Sequence, residues 1–545
     1  MTGGVLSTAT DVTLTAELLR TLAGLGREVP VWCVTTGAVS VGGDEPADPD
    51  RAALWGLGRV AALELPRVWG GLLDLPAEFD GGVVAGVLAG GGEDQVAVRA
   101  SGVWGRRVVR APAAGGRPWC PRGTVLVTGG LGALGARVAR WAAENGAEHL
   151  VLTGRRGADT PGAAQLCAEL TALGTRVTVV ACDVTDREAV RKLLETADPA
   201  AVVHAAGVAQ AAPLADTPAA EFARILAAKT EGARHLDELL GDRPLDAFVL
   251  FSSVAGIWGS GGQSAYAAAN AALDALAERR RARGLTATAI AWGPWADAGM
   301  AGDSAAAAAL RERGLAAMAP EAAVGAMARA VGEDAAVTVV ADVDWPVFAP
   351  LFTVARPSAL LGELVTPAPV PERPAEAPLR ARLAAADAAD HDRILVAAVR
   401  AETAAVLGHV DEREVDVRRG FLEMGLDSLG AVQLRDRLGA AAGRTLAATV
   451  TFDHPTPAKL AAHLRTELQG GGDPAGLLLS ELDRLEAAFA APDADELTRS
   501  RVTVRLQGFL TRWRRPDAGR DDAHDLESAT ADELFDLIHE EFGKS

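Results

Sequence analysis

Between Thr124 and Ala341 the chain alternates short, nearly unbroken apolar runs with longer stretches whose apolar residues recur at helical spacing. The runs fall at Thr124–Thr128, His149–Thr153, Val177–Ala181, Ala201–Ala205, Ala247–Phe251, Thr286–Ala291 and Val337–Ala341. Strands covered on both faces carry no alternation, and helices between them return the chain for parallel pairing. This stretch therefore predicts a doubly wound α/β sheet. Ahead of it, Val29–Thr35 and Gln95–Arg99 read as strands around a helix at Ala52–Leu63, with an earlier helix after Thr15. Residues 383–468 keep helical spacing with almost no strand signal, which predicts a small all-α bundle. Beyond residue 475 two apolar stripes, Leu478/Leu482/Leu485/Phe489 and Val502/Leu506/Phe509/Trp513, predict helices, and Ala531–Phe542 predicts a third, acidic outside.

Breaks in composition separate these patterns. A Gly/Pro/Arg stretch at Ala111–Gly123, the proline-rich Thr366–Pro378 and the glycines from Gly470 divide the chain. The expected units are 1–118, 119–360, a stiff linker at 361–382, 383–468 and 475–545. The first unit carries no chemical motif of its own.

The net charge of −19 argues against nucleic acid, whose phosphates require clustered Lys and Arg. No apolar run is long enough to span a membrane, and no signal sequence opens the chain. Cys33, Cys120, Cys167 and Cys182 lack metal-like spacing, so reduced structural thiols and a cytoplasmic location are expected.

Two constellations carry chemistry. Thr128-Gly129-Gly130-Leu131-Gly132-Ala133-Leu134-Gly135 follows a predicted strand and opens a predicted helix at Ala136–Glu144. Such glycines let backbone approach a pyrophosphate at a helix N-terminus. After the next strand an acidic residue would suit the ribose of NAD; Arg155 and Arg156 stand there instead and suit the extra phosphate of NADP. The second constellation is Ser253, Tyr266, Asn270 and Lys229. Tyr266 and Asn270 lie one helical turn apart, and Ser253 follows a strand at the sheet edge where ligands bind. Hydride delivery to a ketone builds charge on its oxygen; a serine hydroxyl can hold that oxygen while a tyrosine phenol donates a proton. A neighbouring ammonium, here Lys229, favours the phenolate.

Together these residues resemble the short-chain dehydrogenase/reductase superfamily, and more closely the ketoreductase domains of modular type I polyketide synthases. The carrying segments are VLVTGGLGALG (125–135), LTGRRG (152–157), CDVTD (182–186), HAAG (204–207), LFSSVAGIWGSGGQSAYAAANAALDAL (250–276) and WGPW (292–295). The resemblance implies Tyr266 as proton donor, Ser253 as carbonyl ligand, and Lys229 and Asn270 as support. It also implies Asp183 and Val184 near the adenine, and His204, Ala205, Ala206 and Gly207 along the cofactor cleft. The first unit resembles the structural subdomain of such ketoreductases, a truncated Rossmann-like unit lacking its early strands, which implies a piece of a longer polypeptide. Ala209-Gln210-Ala211 replaces the LDD motif of D-hydroxyl enzymes. Trp258, eight residues before Tyr266, marks the A type, and Gln263 stands where an epimerising subtype has histidine. The implied product is an L-hydroxyl without α-epimerisation.

Gly425-Leu426-Asp427-Ser428-Leu429, flanked by 392–409 and 451–464, resembles a four-helix acyl carrier protein and implies 4'-phosphopantetheine on Ser428, attached by a phosphopantetheinyl transferase. The last segment resembles C-terminal docking regions, which dimerise and meet a downstream synthase subunit. The expected fold is thus an α/β doubly wound Rossmann-like ketoreductase with a partial structural subdomain, then an all-α carrier and a helical tail. The expected reaction is NADPH-dependent reduction of a carrier-bound β-ketoacyl thioester supplied by upstream domains of the same module. Three other readings stay open: a catalytically silent scaffold presenting carrier and docking regions, a stand-alone dehydrogenase, and a pure interaction module.

Overall fold

The computed structural model describes residues 5–469 apart from 26–28, 43–44, 91, 112–114, 209, 297–303, 354–355, 366–378, 380–381, 384–385, 408–411, 422, 425, 427, 445 and 448. The proline-rich linker lies largely, and the tail at 475–545 wholly, outside the described residues. None of the described helices is long and apolar enough to cross a membrane.

The N-terminal part builds one five-stranded sheet in the order β1-β2-β3-β4-β5. Its elements are β1 (Val5–Ser7), α1 (Val12–Gly24), β2 (Val31–Thr35), α2 (Pro49–Glu64), β3 (Trp69–Asp74), α3 (Gly81–Gly90), β4 (Gln95–Arg99) and β5 (Gly102–Gly105). All pairs are parallel except β4 with β5. Helix α1 starts earlier than the apolar pattern suggests, because the Asp11 carboxylate accepts hydrogen bonds from the Thr13 and Leu14 amides and caps it. Asp48 caps α2 in the same way, with Pro49 at the first helical position. Strand β3, absent from the apolar reading, contains Gly70 and Gly71; a Cβ on either would meet the Trp32 ring at 2.4–2.6 Å. These glycines dilute the strand signal and exist because an indole lies against the backbone.

A seven-stranded parallel sheet follows, in the order β13-β11-β10-β9-β6-β7-β8. The elements of this part are β6 (Thr124–Thr128), α4 (Ala133–Glu144), β7 (His149–Gly154), α5 (Ala163–Ala172), β8 (Arg176–Ala181), α6 (Arg187–Ala197), β9 (Ala201–His204), α7 (Ala219–Leu240), β10 (Ala247–Ser253), α8 (Val254–Trp258), α9 (Ser264–Ala282), β11 (Thr288–Trp292), α10 (Ser304–Glu312), β12 (Leu315–Ala316), α11 (Pro320–Gly332), β13 (Val337–Val340), β14 (Asp342–Val343) and α12 (Trp345–Thr353), with β12 and β14 pairing antiparallel in a separate two-stranded sheet. The order reverses between β6 and β9, which is where open sheets of this kind leave a crevice at the strands' carboxyl ends. Strand β10 runs two residues further than its apolar run because Ser252 and Ser253 still pair with Ala291 and Trp292 of β11. Apolar clusters fill both faces of the sheet, one around Val127, Leu152 and Phe251 and one around Leu126, Phe248 and Leu250. The fold is the doubly wound Rossmann-like one that the strand alternation predicts.

Among the described residues, the all-α part holds α13 (His391–Leu407), α14 (Ser428–Ala442), α15 (Val450–Asp453) and α16 (Pro457–Gln469). Leu395, Val399, Leu434, Leu438, Leu460 and Leu464 are buried there at helical spacing.

Helix α9 lies against α2, α7, α8 and β10, and most of its residues are buried. Its alanines allow that on several sides at once. At the crossing with α2, a Cβ on Gly56 would meet Ala268 Cα at 2.7 Å and the Ala267 carbonyl closer still. Backbone cannot yield as a side chain does, so Gly56→Ala is expected to destabilise the protein by about 1–3 kcal/mol. Differential scanning calorimetry would show it as a lowered midpoint. Gly86→Ala, with nothing within 4 Å of the added Cβ, should leave the midpoint unchanged or slightly raised.

Candidate active site

The glycine loop turns out of β6 into α4. Gly129 has φ +66, and a Cβ there would press on Ala206 Cα at 2.9 Å; one on Gly135 would meet Gly130 Cα at 2.7 Å. Both positions thus need glycine, the first for its left-handed backbone and the second for close packing. Gly132 precedes α4 and offers no side chain to cap it, so the first-turn amides suit an anionic ligand. Thr128 is buried, while Leu131 on the loop and Leu134 in the first turn of α4 are half-buried. Arg155 and Arg156 are exposed just past the end of β7. Asp183 is exposed, its carboxylate accepting from the amide and hydroxyl of Thr185 at 3.0 and 2.8 Å. Val184 is buried beside Gly232 of α7. The residues present fit a dinucleotide laid over the switch point.

A cleft of about 540 Å³ is lined by Ser253, Tyr266 and Lys229, with Ala205, Gly207, Trp258 and Gln263 among its other walls. Each arrives on a different element. Ser253 is the last residue of β10; its hydroxyl accepts from the Ala255 amide at 3.3 Å and makes a long contact of 3.5 Å to the Trp292 carbonyl. Tyr266 lies in the first turn of α9, half-buried against Val60, Ala255 and Ala267. Lys229 comes from α7 and is buried. Its ammonium donates to Asn270 Oδ1 at 2.7 Å and sits 4.7 Å from the centre of the Tyr266 ring. Asn270 in turn donates from Nδ2 to the Tyr266 carbonyl at 2.7 Å. Asn270 is fully buried one layer behind the cleft wall, so it links the other two residues.

His204 is also fully buried. Its Nδ1 lies 2.8 Å from Thr128 Oγ1 and its Nε2 3.1 Å from the Lys229 carbonyl. A neutral ring with the proton on Nε2 satisfies both, donating to the carbonyl and accepting from the threonine. Burial pushes His204 down to about 4, with the Lys229 charge adding to the effect and the hydrogen bond to the Lys229 carbonyl opposing it. His204 thus ties the end of β9 to β6 and to the backbone of Lys229, while Ala205 and Gly207 beyond it reach the cleft.

Trp258 is buried, packed on Trp345 and Phe348 with ring centroids 6.1 and 5.4 Å away, and still faces the cleft. Gln263 precedes α9 and donates to the Gln210 carbonyl at 3.4 Å. In the sequence, Gln210 stands out only as part of the segment in place of LDD. Its Oε1 accepts from the amides of Ala265 and Tyr266 at 2.9 and 3.2 Å, capping α9 from a distant loop, while its Nε2 donates to Thr217 at 3.0 Å. No local signal exposes a cap delivered from 55 residues away. Ala209 lies outside the described residues. In the all-α part, Ser428 begins α14, and its neighbour Asp427 lies outside the described residues.

Four family models match the chain. They are the KR domain at 123–297, the polyketide synthase extender module SpnB Rossmann fold domain at 5–108, the phosphopantetheine attachment site at 397–464, and the erythronolide synthase docking family at 471–536. The pikromycin polyketide synthase component PikAIII of Streptomyces venezuelae is 51% identical over 87% of this chain and 32% of its own length. Erythronolide synthase EryA3 of Saccharopolyspora erythraea is 48% identical over 86% of this chain and 15% of its own. The chain thus spans about a third or less of these relatives. Among solved structures, an A1-type ketoreductase is 50% identical with a TM-score of 0.62, covering 65% of this chain and 77% of that one. A C2-type ketoreductase is 48% identical with a TM-score of 0.60, covering 64% and 78%.

The two sheets are those of a ketoreductase. The chain belongs to the modular type I polyketide synthases, carrying a ketoreductase followed by a phosphopantetheine-type carrier domain and a docking region.

Because His204 is held neutral, its contribution to stability is complete above about pH 6.5 and is lost as pH falls toward about 4, where the folded protein must charge it. Thermal midpoints measured from pH 7 to 4 are expected to fall more steeply for the wild type than for His204→Asn. Parallel profiles would remove His204 from that window.

Proposed function

We propose that this chain reduces a β-ketoacyl thioester, held on a carrier by phosphopantetheine, to the β-hydroxyacyl thioester with NADPH during polyketide chain elongation. The observation that carries the reading is the convergence of Ser253, Tyr266 and Lys229 on one cleft at the switch point beside the glycine loop. NADPH, when bound, supplies the hydride that reaches the ketone carbon. Residues of the loop Thr128–Gly135 would hold its pyrophosphate, and Arg155 and Arg156 its extra phosphate. Val184, with Asp183, would meet the adenine end, and Ala205 and Gly207 line the cleft past the end of β9, with Ala206 between them in the chain and His204 buried behind. Ser253 holds the ketone oxygen through its hydroxyl, and Tyr266 gives that oxygen the proton that completes the alcohol. The Lys229 ammonium beside the ring favours the phenolate left behind, and Asn270 keeps that ammonium in place. A proton from solvent then restores the phenol.

The stereochemical reading rests on residues, since neighbours of A1 and C2 type match the fold almost equally. Trp258 and Gln263 both line the cleft, and the LDD motif is replaced. These support an A-type enzyme giving an L-hydroxyl without α-epimerisation. Ser428 at the start of α14 carries the 4'-phosphopantetheine, added by a phosphopantetheinyl transferase. The expected partners are upstream domains of the same module, a downstream synthase subunit met through the docking region, and a second copy of this chain through its tail.

Three outcomes test the proposal. The wild type is expected to oxidise NADPH far faster than NADH with a β-ketoacyl thioester, followed by near-ultraviolet absorbance, and to give the L-hydroxyl on chiral chromatography. Tyr266→Phe should lose on the order of 10²–10⁴-fold in turnover while retaining NADPH binding by fluorescence; near-normal turnover would remove Tyr266 as proton donor. Incubation with a phosphopantetheinyl transferase and coenzyme A should raise the intact mass of the wild type, and leave Ser428→Ala unchanged.

A further inference from the structure

Helix α2 belongs to the N-terminal sheet, yet its last turn reaches the cleft through Leu63 and Glu64. Glu64 is badly placed by local rules. It closes α2 at the end where the helix dipole repels a carboxylate, it is half-buried, and burial raises its carboxyl above the usual range, with the Asp216 charge adding to the effect. Two backbone donors compensate. One oxygen accepts from the Gly262 amide at 2.6 Å and the other from the Leu214 amide at 2.6 Å.

Those amides lie in the two loops that flank the reacting residues. Gly262 belongs to the turn between α8 and α9, of which Gly259, Ser260, Gly261 and Gln263 face the cleft. Leu214 lies in the loop that begins at Gly207 and contains Gln210, the cap of the Tyr266 helix. The loops also meet directly, the Ala212 amide donating to the Gly262 carbonyl at 3.0 Å. The turn at Gly259 is pressed onto α2, where a Cβ would meet the Arg59 carbonyl carbon at 2.9 Å and Leu63 at 3.1 Å. A residue that breaks local preference and is repaid only by two active-site loops marks a functional constraint.

We propose that Glu64 is a positioning residue for the reduction: from the N-terminal sheet it clamps both loops, fixing the substrate-facing wall of the cleft and the approach of the ketone to Tyr266. The inference rests on the ketoreductase activity proposed above. Substitution leaves the glycine loop untouched, so its effect belongs to the acyl substrate. In the full chain, Glu64→Gln keeps the shape but turns an N–H toward one of the amide donors, and Glu64→Ala removes both acceptors.

With an N-acetylcysteamine β-ketoacyl thioester, both variants are expected to raise KM by about tenfold or more, Ala beyond Gln, and to erode the L-to-D ratio of the hydroxyl product. NADPH affinity should stay within about twofold of wild type. Wild-type KM and product ratio in both variants would overturn the proposal; should Glu64→Ala fail to fold, Glu64→Gln decides alone. A wild type that turns over no β-ketoacyl thioester would sink the reductase reading instead. In that case hydrogen exchange at 212–216 and 259–263 still reads the clamp, and exchange as slow in Glu64→Gln as in wild type would overturn it.

Discussion

The close crossing of α2 and α9 is the constraint on which the catalytic half depends. Gly56 lets α2 come within backbone contact of Ala267 and Ala268, and the alanines of α9 leave room for neighbours on its other sides. Tyr266 and Asn270 therefore ride on a helix fixed from the N-terminal sheet and from β10 together. A helix so buried cannot tilt without opening packed surface, and rigid support of this kind is what the proton donor of the proposed reduction requires. What the N-terminal sheet contributes to that half is bracing.

Electrostatics adds a second layer to that brace. Lys229 is buried, and its ammonium is matched by Asn270 rather than by a carboxylate. A neutral amide orients the charge without cancelling it, which leaves its field available to a phenolate. Behind it, His204 is kept neutral by burial and secures the Lys229 carbonyl, so the cation's backbone and head are both fixed. Asp274, further along α9, shows the cost of such burial: its carboxyl is pushed up to about 7, with the charges of Arg106 and Arg59 opposing the shift.

The cofactor side follows a simpler logic. Gly129 needs its left-handed backbone and Gly135 its missing Cβ because a strand, a turn and a helix start are compressed into a few residues. That compression delivers the uncapped start of α4 to the switch point of the sheet, while β9 and β10 end beside it. Carrier and reductase sit on one polypeptide, so a substrate tethered as proposed above would reach the cleft at high effective concentration.

Local chemistry made much of this legible. Continuous apolar runs give the seven strands because parallel strands are buried on both faces, and the glycine loop announces itself by position between strand and helix. Tyr266 and Asn270 share a turn, so their partnership is written in a spacing of four. Where the pattern misled, the cause was local too: Gly70 and Gly71 hid β3, and the Asp11 cap starts α1 at Val12, ahead of Thr15. What residue order could not show is every link that closes across the fold. Gln210 caps a helix 55 residues on, and Glu64 grips Gly262 from 198 residues away. His204 reaches back 76 residues to Thr128. Hydrogen bonds depend on distance and direction in space, and chain separation leaves no periodic trace, so only the packed structure brings these side chains to the site.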